Sequence, residues 1–177
     1  AEESNASLSR LMIGAEPPQL THKASKAGAV VLGVKGLSLA KQDQFGVELK
    51  DIGFEVRAGE IVGVAGVSGN RQQEMLAALG GEDRRAAPAS ITLFGQPIGD
   101  HSPRHRRKAG LHFVPEERLG RGAVPVMSLA SNTLLTRTAA VGASGWVRMK
   151  DVTALAEKII RRFNVKAGGP GAAAKSL

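Results

Sequence analysis

Apolar positions divide the chain into an early region of strand-like alternation and a late region of helical spacing. Val30-Val-Leu-Gly-Val34, Leu37-Ser-Leu-Ala40 and Val47 through Val56 alternate or form short apolar runs, which predicts strands. Glu60-Ile-Val-Gly-Val-Ala65 is apolar without alternation and predicts a strand buried on both faces. Ser90-Ile-Thr-Leu-Phe94 predicts a strand with its turn over Gly95-Gln-Pro-Ile98, and Leu111-His-Phe-Val114 predicts another, ended by Pro115. Between them, Pro103 starts a short helix.

Helical spacing appears first at Gln72–Leu79, where Met75, Leu76 and Leu79 share a face ahead of the stop Gly80-Gly81. Ser128 is the expected N-cap of a helix running to Leu135. From about Lys150 to Phe163, Val152, Leu155, Ala156, Ile159, Ile160 and Phe163 recur at helical spacing. A further short helix is expected over residues 4–13, with Gly14 as its stop, followed by a Pro- and small-residue-rich linker to Gly28. The order is strands, a glycine-rich turn, more strands, then helices: an α/β class.

The glycine-rich turn carries the candidate chemistry. Gly66-Val67-Ser68-Gly69-Asn70-Arg71-Gln72-Gln73 lies between the expected strand 60–65 and the expected helix 72–79. In that setting backbone N–H groups and a helix N-terminus converge on a phosphate. A hydrolysing loop ends in Gly-Lys-Ser/Thr, the lysine on the outer phosphates and the hydroxyl on Mg²⁺. Here Arg71 stands where the last glycine would be, Gln72 replaces the lysine and Gln73 the hydroxyl. A Cβ at a left-handed position costs about 1 kcal/mol. A lost charged contact costs about 1.5–3 kcal/mol. Arg71 either supplies the missing charge or lies on the surface of a plain turn. Gln73 could offer its amide oxygen to a metal, at a longer reach than a hydroxyl.

Composition narrows the alternatives. The 177 residues carry no cysteine, which excludes disulfides and thiolate metal sites. Aromatic content of 3% leaves no stacking platform for single-stranded nucleic acid. The net charge of +8 has its densest cluster at His101–Lys108, and with no nucleic-acid motif beside it this reads as the solvated face of a short helix. No His/Asp/Glu cluster has metal-ligand spacing, and His112 receives no catalytic role. No apolar run approaches the roughly 20 residues of a membrane span.

Several segments in order resemble one family. Phe54-Glu-Val-Arg-Ala-Gly-Glu-Ile-Val-Gly-Val-Ala-Gly66 with the loop after it, Val114-Pro-Glu-Glu-Arg118-Leu-Gly-Arg-Gly122, and Met127-Ser-Leu-Ala-Ser-Asn132 resemble the ATP-binding subunits of ABC importers for simple sugars and nucleosides. The match is to the second of the two nucleotide-binding domains such subunits carry, and Leu8-Ser-Arg-Leu-Met-Ile-Gly14 resembles the tail of the first. The resemblance implies a partial P-loop ABC ATPase domain: an antiparallel β subdomain, ATPase core strands and the start of a helical subdomain.

It divides the chain into 1–14 (tail of a preceding domain), 15–28 (linker), 29–124 (ATPase domain with a degenerate loop) and 125–177 (helical subdomain). The chain is expected to stop before the Leu-Ser-Gly-Gly signature, as a middle fragment of a longer polypeptide. Glu116 falls at the Q-loop position, which joins the metal site to the membrane subunits; Arg118 or Arg121 could instead pair with it as a surface carboxylate. Phe45 is a candidate to stack on adenine, and Trp146 is expected to pack within the helical subdomain.

The implied cofactors are ATP and Mg²⁺. The implied partners are ABC permease subunits, a first nucleotide-binding domain of the same or another chain, and indirectly a solute-binding protein, with no nucleic acid. The implied location is cytoplasmic, peripheral on the inner face of the cell membrane. Hydrolysis by this loop alone is not expected. The alternative is a nonenzymatic interaction fragment that binds no nucleotide in isolation.

Overall fold

The computed structural model describes residues 7, 10–12, 14, 26–41, 44, 46–67, 69, 71–135, 137, 142–143 and 146–177. Strand β1 (Val30–Leu39) is the hub of a four-stranded antiparallel sheet of order β2-β1-β3-β4, with β2 (Leu49–Arg57), β3 (Ile91–Leu93) and β4 (Gln96–Pro97). The two runs 30–34 and 37–40 form one strand because a bulge carries the chain across the gap. Gly36 turns at φ 63°, Asp51 opposite turns at φ 46°, and the Asp51 N–H donates to Ser38 Oγ at 2.9 Å. The tight turn after β3 uses Phe94 and Gly95, both at positive φ, so the return strand begins three residues earlier than the expected turn allowed.

One face of the sheet carries the main core: Val34, Leu37, Leu39, Leu49, Ile91, Leu93 and Ile98, closed by Met75 and Ala78 of helix α1 (Gln72–Gly80). Helix α1 follows the expected bounds, but its buried face is Met75 and Ala78 with Leu79 against the core, while Leu76 is exposed.

Two expected core strands are not strands. Residues 60–67 and 111–115 pair with no strand among the described residues, and Ile61 is 97% exposed with Val64, Val67 and Val114 also exposed. A run that is apolar on both faces is a strand only when neighbours supply its ladder and cover both sides. The sheet here grows from β1 in other directions, and only Leu111 of the second run reaches the core.

The expected short helix is α2 (Pro103–Lys108). It is not simply a solvated basic face, because Arg106 is 1% exposed. Farther on, α3 (Leu129–Leu135) and α4 (Met149–Arg162) pack through Ala130, Leu134, Val152 and Ala156 into a second, smaller core. Ser128 caps α3 as expected, its Oγ accepting from the Ser131 N–H at 3.0 Å. Trp146, in the two-residue strand β6 (Trp146–Val147) paired with β5 (Gly142–Ala143), is 83% exposed and does not pack as expected. Phe163 is likewise exposed, since α4 ends at Arg162 and the ring falls beyond its buried face.

The segment between the two cores is tied to α3 by one side chain. Asn132 Oδ1 accepts from the Val124 N–H at 2.7 Å, and its Nδ2 donates to the carbonyls of Val124, Met127 and Ser128 at 3.1–3.2 Å. The C-terminal residues add a second tie, with Leu129 and Ala130 donating to Ala172 and Pro170 at 2.9 Å. Replacing Asn132 by Ala is expected to cost about 1–3 kcal/mol, because the Val124 pair loses its partner, and a urea midpoint measures it.

Toward the N-terminus, residues 10–12 are helical, and the Gly14 N–H donates to Arg10 O at 2.8 Å with Gly14 at φ 72°. The expected stop at Gly14 is therefore present. Most of the expected linker lies outside the described residues.

Candidate functional site

The glycine-rich turn leaves the sheet through Arg57–Glu60, where Gly59 adopts φ 77° and Glu60 Oε2 accepts from the Arg57 N–H at 2.7 Å. An exposed segment outside any helix or strand then leads to Gly66 and Val67. Gly69 sits at φ 85°. Arg71 adopts φ 73°, ψ 3°, the left-handed conformation expected for the position where the phosphate loop would place a glycine. Its carbonyl accepts the first helical hydrogen bond, from Met75 at 3.0 Å. Ser68, Asn70 and Phe45 lie outside the described residues.

Arg71 is exposed, and its charge acts on Glu48, whose carboxyl pKa is lowered first by the hydrogen bond and charge of Lys50 and to a lesser degree by Arg71. Gln72 is half-buried and turns back on the loop: its Nε2 donates to Val67 O at 3.1 Å. The amide lies so close to Gly66 that a Cβ there would collide with it.

Gln73 and Glu116, placed by separate segments of sequence, line one small cavity of about 30 Å³ together with Leu76, Phe113, Glu117 and Arg121. Arg121 does not pair with Glu116. Its guanidinium donates to Glu82 Oε2 at 2.6 Å, which ties the Glu116 loop to the end of α1. A turn from Glu117 to Gly122 supports that loop, the Gly122 N–H donating to Glu117 O at 3.0 Å. Within the described residues, no group of three or more His, Cys, Asp or Glu could hold a metal.

Behind the site, Arg106 holds the far end of α1. Its guanidinium donates to Ala78 O at 2.5 Å, Leu79 O at 2.7 Å, Gly99 O at 2.8 Å and His101 O at 2.9 Å. Burial pushes its pKa down, partly offset by Asp100. A cation facing the final carbonyls of a helix is favoured by the helix dipole. Sequence reasoning missed Arg106 and the Arg121–Glu82 pair. The only available signal was the one-sided placement of residue 106 on a helix begun at Pro103.

No family profile matches the chain. Among curated proteins, it is 31% identical over 99% of its length to a nucleoside import ATP-binding protein of Lactococcus lactis, covering 35% of that protein. It is 34% identical over 96% of its length to a ribose import ATP-binding protein of Streptomyces coelicolor, covering 32% of it. Over 72% of its length it is 38% identical to a guanosine import ATP-binding protein of Bacillus subtilis, covering 25% of it.

With these relatives, the mixed α/β architecture built on an antiparallel sheet is part of an ABC-type ATPase fold. The chain belongs to the family of ATP-binding subunits of ABC importers for sugars and nucleosides. It spans about a third of the length of the first two relatives.

Proposed function

We propose that this chain contributes a degenerate nucleotide site to the ATP-binding, energy-coupling subunit of an ABC importer for simple sugars or nucleosides. The observation that carries the reading is the meeting of Gln73 and Glu116 at one cavity. These are the positions that the phosphate loop and the Q-loop assign to the metal end of a nucleotide. The relatives, named for ribose, nucleoside and guanosine import, supply the substrate classes.

The residues fit ATP and Mg²⁺ in part. Gly66, Val67 and Gly69 offer backbone N–H groups, which need little from side chains to hold an oxyanion. The Gln73 amide oxygen and the Glu116 carboxylate are oxygen donors suited to Mg²⁺. Gln72 brings no charge to the phosphates, and Arg71 spends left-handed strain where a glycine would spend none. Bound ATP would supply the energy that closes the subunit. This chain's own residues hold and orient the phosphates, and the Glu116 loop passes movement onward.

In this reading residues 1–14 end a first nucleotide-binding domain, 15–28 form a linker, 29–124 belong to the second domain, and 125–177 begin its helical subdomain. The partners are permease subunits, a first nucleotide-binding domain that provides the hydrolysing loop, and indirectly a solute-binding protein. The place of action is the inner face of the membrane. No helix among the described residues is long and apolar enough to cross one.

The test is a titration with labelled ATP of the product of the complete reading frame, with the lysine of any other phosphate loop replaced. Weak, Mg²⁺-dependent binding without turnover is expected. No binding at millimolar ATP overturns the reading and leaves an interaction module. That second reading is favoured by the exposed Ile61, Val64 and Val67 beside the loop.

A further inference from the structure

We propose that the pocket framed by α2, the end of α1 and residues 111–115 binds a phosphate monoester with an apolar body, and that Arg107 is its anchoring cation. The role of this pocket does not depend on nucleotide binding at the glycine loop.

The pocket has a volume of about 440 Å³, room for a small organic ligand. Arg107, Arg121 and the His112 imidazole line it, and Pro103, Leu111 and Phe113 give it apolar walls. Its one carboxylate, Glu82, is already engaged, accepting from Arg121 at 2.6 Å. Two guanidinium groups against one carboxylate leave the lining net positive.

Arg107 is the member that the fold does not account for. Among the described residues its guanidinium makes no ion pair or hydrogen bond, and its Nε is shut off from water as well. Arg106, one position earlier, has four carbonyl partners. A shielded N–H without an acceptor costs stability, and in a native fold it marks a place where an ion or a water belongs. The net positive lining selects an anion.

No protein bond holds the Arg107 guanidinium, so turning it to bring the Nε edge to a ligand breaks none. That edge makes the two-bond fork that suits an oxyanion. A phosphate monoester has three terminal oxygens, enough to serve Arg107 and Arg121 together, while its ester group lies on the apolar walls. A carboxylate has two oxygens and fills one fork. The pocket shares Arg121 and Phe113 with the small cavity at Gln73 and Glu116, but Arg107 and His112 line this one and not that. A change at position 107 therefore tests this pocket separately.

The experiment is a titration of the chain at constant ionic strength with phenyl phosphate, inorganic phosphate and benzoate, followed by ¹⁵N amide shifts. Phenyl phosphate is expected to bind several-fold more tightly than either other probe and to move the amides of His112 and Gly122. Arg107→Met is expected to weaken it about ten-fold or more, with no fall in urea midpoint, and Arg107→Lys to recover part of the loss. Arg104→Met, on the same helix but outside the lining, is expected to change affinity by less than about two-fold.

An equal loss in Arg104→Met makes the effect one of net charge and overturns the proposal. Shifts confined to Gly66 and Val67 place the anion on the glycine loop and overturn it, as does the absence of binding by any probe in the millimolar range. Benzoate bound as tightly as phenyl phosphate overturns the phosphate assignment. Labelled ATP, titrated in parallel, is expected to bind Arg107→Met and the unaltered protein alike, so the nucleotide reading and this one fail separately.

Discussion

Arg106→Met lowers the stability of the chain by about 3–5 kcal/mol, the range for removing one side of a buried, charged hydrogen-bonding arrangement. Four carbonyls, of Ala78, Leu79, Gly99 and His101, lose their common donor at once. Methionine keeps much of the volume, so the loss is polar and not a cavity. Arg106→Lys recovers part of it, because one ammonium cannot reproduce the guanidinium's fork toward separate carbonyls. Neighbouring Arg107, half-buried with its Nε unpaired among the described residues, is the control: Arg107→Met does not lower stability. Urea midpoints at constant slope measure all three. If Arg106→Met matched Arg107→Met, the buried guanidinium would be a bystander.

The second large effect lies at the residue that lets Arg106 approach. Gly81 closes α1 at φ 82°, and a Cβ there would lie 2.7 Å from His101 O and 2.8 Å from Arg106 Nε. Gly81→Ala combines left-handed strain with a clash against backbone, for an expected loss of about 2–4 kcal/mol. Because both substitutions disturb one cluster, the double variant loses less than the sum of the two singles. Additive losses would show that Gly81 acts through its backbone alone. The comparison Gly14→Ala, at φ 72° with open space around the added Cβ, isolates the strain.

These residues mark the limit of what the pattern of the sequence conveys. Strands β1 and β2, helix α1 and helix α4 were legible because alternation and helical spacing are local properties of consecutive residues. The N-cap at Ser128 was legible for the same reason. The runs 60–65 and 111–114 were not, because an unbroken apolar run records only that neighbours are wanted, and a ladder is a property of two segments. Leu76 and Trp146 failed similarly: apolar character gave their preference but not which side of a short element would find a partner.

At the site, the backbone of Arg71 was legible, since a glycine position filled by arginine carries its own strain. That Gln73 and Glu116 line one cavity was not legible, because their separation in the chain carries no information on where the two segments meet. The destination of the Gln72 amide, and the choice of Glu82 over Glu116 by Arg121, depend on distances that no spacing in the chain encodes.

The exposed segment Ile61-Val-Gly-Val-Ala65 has a consequence for how the chain behaves in solution. These five uncharged, proline-free residues, exposed and outside any helix or strand, offer apolar side chains to any similar segment nearby. The formal charge of +8 keeps copies apart while the medium is dilute in ions. As salt shortens the reach of that repulsion to about 8 Å at physiological ionic strength, contact between such segments becomes the stronger influence. Ionic strength thereby becomes the variable that decides whether the chain stays dispersed or gathers.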